Sequence, residues 1–160
     1  MAHWELLATA KLTGTSDTLI DTSITEKNFL WIQEIKIPSG NARSKYEFNS
    51  AGGSNYSERN SDNGGSTGTS TSQTSLTIYN SGGTAEALHN IFISNFQDEE
   101  KLAIWEIIEH NDVGAGNIPH STIGSGKWAN TSDKINEIRV FNDGTGDFGA
   151  TSQIAIFGQD

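Results

Sequence analysis

The sequence predicts an all-β chain, an antiparallel β-sandwich of jelly-roll type, and three observations carry that expectation. About two residues in five are Gly, Ser, Thr or Asn, a composition suited to turns and extended chain rather than to long helices. Apolar residues recur with period two in short runs. Turn residues separate the runs at intervals of roughly ten to fifteen residues, with no helical stretches between, as in antiparallel sandwiches and barrels. A chain of 160 residues is expected to form one domain, spanning 1–160, around one core.

The first strand is expected over Trp4–Leu12, where Trp4, Leu6, Ala8, Ala10 and Leu12 share a face, and Gly14–Asp17 turns the chain. Thr18–Ile24 follows, then Asn28–Ile37, in which Phe29, Trp31, Ile35 and Ile37 alternate with Leu30, Ile32, Glu34 and Lys36. Pro38-Ser39-Gly40-Asn41 ends it. Arg43–Asn49 and Ser54–Arg59 come next, and the Ser/Thr/Gly/Asn stretch from Ser61 to Gln73 reads as a long loop, since it has little side chain to bury. Ser75–Asn80, Asn90–Phe96, Lys101–Glu109, Thr122–Asn130, Lys134–Phe141 and Gln153–Phe157 complete about ten strands. Glu99–His110 also fits a helical face, but its β-branched and aromatic content favours a strand.

With no cysteine there is no disulfide, thiolate metal site or cysteine nucleophile. A net charge of −10, with only ten Lys and Arg, argues against a nucleic-acid partner. No stretch of 18 apolar residues predicts a membrane span. Met-Ala-His-Trp-Glu has no basic segment leading into an apolar one, so no signal peptide of the usual kind is expected.

No catalytic motif stands out, and the chain is expected not to be an enzyme. His3, His89, His110 and His120 form no His-x-His or His-x-x-x-His pair, and His110-Asn111-Asp112 reads as a strand end before a turn. Glu106 with Glu109, or Glu34 with Glu47, could supply two carboxylates to a cleft, although eleven glutamates make chance pairs easy. Calcium is the one metal kept open, at Asp143 and Asp147 in Asn142-Asp143-Gly144-Thr145-Gly146-Asp147; the plainer reading is a Gly-rich hairpin connection between the last two strands. Asn60–Gly65 is a weaker candidate of the same kind. A glycan site needs an exposed ring to stack on a sugar and amides or carboxylates for its hydroxyls. Trp31 and Trp105 lie in strongly apolar strands and are expected in the core, which leaves Tyr56 and Trp128, flanked by Gly, Asn and Ser, as the stacking candidates.

Several blocks taken in order resemble a known family. Phe48-Asn49, Gly53-Ser54-Asn55-Tyr56-Ser57 and Arg59-Asn60-Ser61-Asp62-Asn63-Gly64-Gly65 are similar to a signature of β-sandwich domains in tail and other virion proteins of bacteriophages and marine archaeal viruses. Trp4–Ala8 resembles the first strand of those domains. Lys127–Asn130, Ile135–Ile138 and Gly144–Phe148 through Phe157-Gly158 resemble the closing ones. The resemblance implies a jelly-roll-like structural domain, present singly or in tandem, without catalytic residues. Its partners would be other copies of itself and other virion proteins, and its location the virion or the extracellular space. The alternative expectation is a carbohydrate-binding module for glycan or host-surface attachment.

Overall fold

The computed structural model describes residues 3–78, 83–110 and 114–160. Its strands, in order, are β1 (Glu5–Lys11), β2 (Thr18–Ser23), β3 (Phe29–Lys36), β4 (Pro38–Ser39), β5 (Ser44–Phe48), β6 (Tyr56–Asp62) and β7 (Thr67–Gln73). They continue with β8 (Leu76–Thr77), β9 (Glu86–Ser94), β10 (Lys101–His110), β11 (His120–Trp128), β12 (Glu137–Asn142), β13 (Asp147–Phe148) and β14 (Gln153–Gln159). Among the described residues the protein is all-β with antiparallel pairing in three sheets, none closed into a barrel. One has eight strands in the order β1-β14-β3-β9-β10-β11-β6-β7, one has four in the order β2-β12-β5-β8, and β4 and β13 form a small ribbon.

The inward faces of the two larger sheets share one hydrophobic core. Leu30 and Ile32 of β3, Ile91 and Ile93 of β9, Trp105 and Ile107 of β10 and Ile154 and Ile156 of β14 meet Ile20 of β2, Tyr46 and Phe48 of β5 and Ile138 and Val140 of β12. Period two explains the selection: along β10 residues alternate strictly between buried and exposed, so the segment that also fitted a helix is a strand. Its partners hold it in unbroken antiparallel register on both sides, Trp105 facing Ile91 on β9 and Gly124 on β11.

Four expectations change. Ser61–Gln73 is not a long loop: β6 runs on to Asp62 and returns as β7. Asn63 and Gly64 take positive φ (47° and 69°) and Gly65 N–H donates to the Asp62 carbonyl at 2.7 Å, the twist that suits a tight hairpin. Thr67–Gln73 needs no buried side chains because it is an exposed edge strand, held by backbone pairing and by the extended preference of threonine. The Gly-rich connection after β12 is no hairpin either, since β12 lies in the four-stranded sheet and β14 in the eight-stranded one. Its glycines pack on the chain around Asn41: a Cβ on Gly144 would fall 2.0 Å from the Asn41 carbonyl oxygen, and one on Gly146 would fall 2.5 Å from the Asn41 nitrogen. Finally, Lys134–Asn136 is not in a strand. Side-chain amides hold it instead, Ile135 N–H donating to Asn95 Oδ1 at 2.6 Å and Asn136 N–H to Asn49 Oδ1 at 2.9 Å. Of the expected strand Ser75–Asn80, only Leu76–Thr77 pairs in a sheet, and Tyr79 and Asn80 lie outside the described residues.

Trp105 sets a further packing constraint. Its indole lies across β11, where a Cβ on Gly124 would come within 2.2 Å of the ring and one on Gly126 within 3.1 Å. Gly124→Ala should therefore lower unfolding stability by about 1–3 kcal/mol, the usual cost of overpacking. Gly52→Ala, with open space around the new methyl, should stay within about 0.5 kcal/mol of the parent. Urea denaturation of the two variants measures the difference.

Candidate functional site

The expected stacking rings are in the core. Tyr56 and Trp128 are each 1% exposed, paired across β6 and β11 and stacked at 6.3 Å, with Phe48 of β5 at 5.9 and 6.0 Å from the two rings. The Tyr56 hydroxyl accepts the Phe48 N–H at 2.9 Å. Neither ring offers a face to solvent, so a sugar cannot stack on them; their polar neighbours in sequence belong to turns around a buried aromatic triad. Trp31 departs from expectation in the other direction. Trp105 is buried as expected, but Trp31 sits half-buried on the outer face of β3.

Asp143 lies 2.8 Å from Lys45 Nζ as an ion pair, and Asp147 opens β13 opposite Ser39. The loop between them is ordered from within. Asn142 Oδ1 accepts the N–H groups of Arg43 and Gly144, both at 2.7 Å, and Gly146 N–H donates to the Asn41 carbonyl at 2.9 Å. Among the described residues no group of three or more His, Cys, Asp and Glu is arranged to hold a metal ion. The conceivable carboxylate pairs are kept apart. Glu106 and Glu109 occupy opposite faces of β10; Glu34 is in the core, and Glu47 pairs with Arg139 at 3.4 Å on the other sheet. Of His110-Asn111-Asp112, the last two residues lie outside the described ones; His110 Nε2 is 3.0 Å from Glu86.

One polar cluster is unexpected. Glu34 and Lys36 of β3 point inward, and Glu34 is fully buried. Ser44 Oγ donates to Glu34 Oε1 at 2.6 Å and the Tyr46 hydroxyl donates to Oε2, both from β5 across the core. His89 Nδ1 of β9 lies 3.0 Å from Oε2, close enough to attract the carboxylate but off the line of a hydrogen bond, so its ring nitrogens lack aligned partners. Burial pushes the Glu34 carboxyl up, but the pull of His89 and the donated hydrogen bonds outweigh it and hold the group below the usual glutamate range. Burial and the neighbouring carboxylate push the Tyr46 hydroxyl well up, and burial pulls the Lys36 ammonium down. Towards the sheet end the cluster continues through Glu109, held up by burial. Its Oε1 is 3.7 Å from His120 Nδ1, and His120 Nε2 is 3.7 Å from Asp62. Glu34, Tyr46 and His89 are closed to solvent, so they bind the sheets together and no substrate reaches them.

What the described residues do offer to a partner is the outer face of the eight-stranded sheet. Register places its side chains in rows across the strands. Trp31, Phe92 and Ile104 form one row, Ile35, Leu88 and Ile108 another, and Gln33, Asn90 and Glu106 lie between them. Trp4 covers the edge of the first row, 5.8 Å from Trp31, which in turn stacks on Phe92 at 5.7 Å and meets Phe157 at 5.1 Å. The Trp31 indole N–H donates to Asn90 Oδ1 at 2.6 Å. Leu102, Ile104 and Ile123 are 57%, 61% and 55% exposed. Leu102 and Ile104 border a notch of about 310 Å³ beside Trp4 and Phe29 and a trough of about 620 Å³ whose far wall is Ser57, Arg59, Thr69 and Thr71. The outer face of the four-stranded sheet is the opposite in character, carrying Asp21, Arg139 and Glu47 in one ion-paired row with Lys45 beside it. The signal for the apolar face was present in the sequence: β3 and β10 are apolar in both phases of their alternation, the mark of strands covered on two sides. Comparison with protein-family models, curated proteins and solved structures gives no match.

The buried cluster makes a test of its own. A carboxyl held lower in the folded chain than in the unfolded one stabilises the fold fully above the ordinary glutamate range, and that contribution is lost as pH falls through the folded value. Glu34→Gln should cost about 1.5–3 kcal/mol near neutral pH, the range for a hydrogen bond to a charged group, and the gap to the parent should narrow as the medium is acidified. Denaturant titrations at a series of pH values measure it; a gap that widens in acid contradicts the assigned direction.

Proposed function

We propose that this chain is a non-enzymatic structural module of a virion, a capsid, capsid-decoration or tail-associated domain that acts through protein–protein assembly contacts. The observation that carries the assembly role is the apolar outer face of the large sheet. Isolated exposed apolar residues are ordinary, but a contiguous face of several hundred Å² marks an interaction surface. The virion setting comes from the resemblance of the Phe48–Gly65 and Lys127–Gly158 blocks to phage and archaeal-virus domains.

In this reading the eight- and four-stranded sheets are the two layers of a jelly-roll sandwich, with β4 and β13 as a side ribbon. The alternation of the chain between layers supports it: β1, β3, β6–β7, β9–β11 and β14 lie in the larger sheet, and β2, β5, β8 and β12 fall between them in the smaller. The four-stranded sheet, with its ion-paired outer face, is the side turned to water.

A carbohydrate-binding module is the second reading, and the partly exposed Trp4 beside Trp31 and Phe92 favours it, in place of the buried Tyr56 and Trp128. One comparison separates the two. The assembly reading expects the chain in gradient-purified particles, detected by mass spectrometry, with Ile104→Glu lost from them and no signal on a glycan array. Glycan signal that Trp4→Ala abolishes, with the chain absent from particles, selects the second reading.

A further inference from the structure

We infer that the partner of the apolar face is a second copy of this chain, stacked face to face about a twofold axis that runs along β9. The inference rests on the assembly reading and names its partner. Three observations carry it.

The first is charge. The chain as a whole carries −10, yet the charged side chains at outer-face positions of the large sheet are Lys11, Arg59 and Lys127 against Glu86 and Glu106. This face is close to neutral, so two strongly acidic molecules can meet through it while their excess charge stays on the far sides. The second is area. At roughly 200 Å² for a large side chain, the half-exposed apolar side chains here present on the order of 800 Å², about what one partner contributes to a standard stable interface. The third is the sequence pattern of β3 and β10, apolar in both phases. The core covers one face of each strand, and the chain's own described residues supply no second layer for the other.

The rows decide the orientation. A face-to-face twofold axis lies parallel to the sheets, and two choices keep the strands of the copies aligned and centre both apolar rows of β3, β9 and β10 on one another. An axis along the Gln33–Asn90–Glu106 row sets Glu106 over Glu106 of the other copy and confines two like charges in a drying interface, which is costly. An axis along β9 instead sets β3 of each copy over β10 of the other; it also brings the two Glu86 carboxylates together, but at the open end of β9, where each stays half-exposed 3.0 Å from His110 Nε2 and outside the apolar rows. Gln33 then faces Glu106 across the interface, an amide N–H₂ donor against a carboxylate acceptor, and it does so twice. Trp31 lies over Ile104 and Ile35 over Ile108, with Phe92 and Leu88 meeting their own counterparts near the axis.

Sedimentation equilibrium with crosslinking tests this. The parent chain should be a dimer, and Ile104→Glu should raise its dissociation constant at least about tenfold while leaving the circular dichroism spectrum and the thermal midpoint of the monomer in place. Ser23→Lys, exposed on the outer face of the other sheet opposite Glu137, serves as the control and should leave the dimer intact. Because the chain has no cysteine, Asn90→Cys carries the sole thiol; its position on the axis should let a bis-maleimide spanning roughly the 10 Å between stacked sheets join two copies, and a thiol at Lys45→Cys on the opposite face should not be joined. A monomeric parent, a dimer indifferent to Ile104→Glu, or an Asn90→Cys dimer that cannot be crosslinked overturns the inference. If the parent is monomeric but present in particles, and Ile104→Glu removes it from them, the assembly reading stands and the partner is a different virion protein.

Discussion

The arrangement of this protein depends on a carboxylate confined between two sheets. Glu34 is fully buried, and leaving such a group ionised and unpartnered costs far more than any single packing contact returns. It is satisfied only when β5 lies across from β3, with Ser44 and Tyr46 donating, and β9 lies beside β3, with His89 against the same oxygen. One side chain therefore couples lateral pairing within the large sheet to its docking against the small one. A slip of one residue would turn Glu34 and Lys36 to solvent and Trp31 inward, removing the clamp along with the register.

This requirement explains the inverted polarity of β3. Its inward phase holds two charged residues, and its outward phase holds Phe29, Trp31 and Ile35. The inward polar groups are affordable because partners are built for them, Lys36 Nζ reaching the Ala42 carbonyl at 3.3 Å. The outward apolar groups pack only sideways, Trp31 on Trp4, Phe92 and Phe157 and Phe29 on Phe96, with no second layer over them among the described residues. The molecule is thus two-sided, with an ion-paired, water-facing small sheet and a large sheet whose outer face resembles the inside of a protein. At the opposite end of the core, Phe48, Tyr56 and Trp128 do with rings what Glu34 does with charge, joining β5 to β6 and β11 through shape and a single hydroxyl.

Much of the local structure was legible from residue order. Period-two alternation found β1, β3, β5, β10 and β14 with boundaries close to those observed, because a strand with one face in a core leaves that pattern in its sequence. The edge hairpin β6–β7 was missed for a matching reason. An exposed polar strand leaves no hydrophobic signature, and only the turn at Asn63-Gly64 announced it. The amides that hold Lys134–Asn136 were equally silent, since Asn49 and Asn95 are distant in sequence and ordinary in composition.

By itself, then, the sequence determined that the chain is β, that its strands are short and antiparallel, and that β3 and β10 carry apolar groups on both faces. Which face goes inward was left to the tertiary structure. Alternation is symmetric between the two phases of a strand, and hydrophobicity alone would have put Trp31 inside and Glu34 outside. Tertiary structure likewise decided that Tyr56 and Trp128 are core and not surface, because burial depends on what crosses over a residue from another sheet, and that partner lies outside the local sequence.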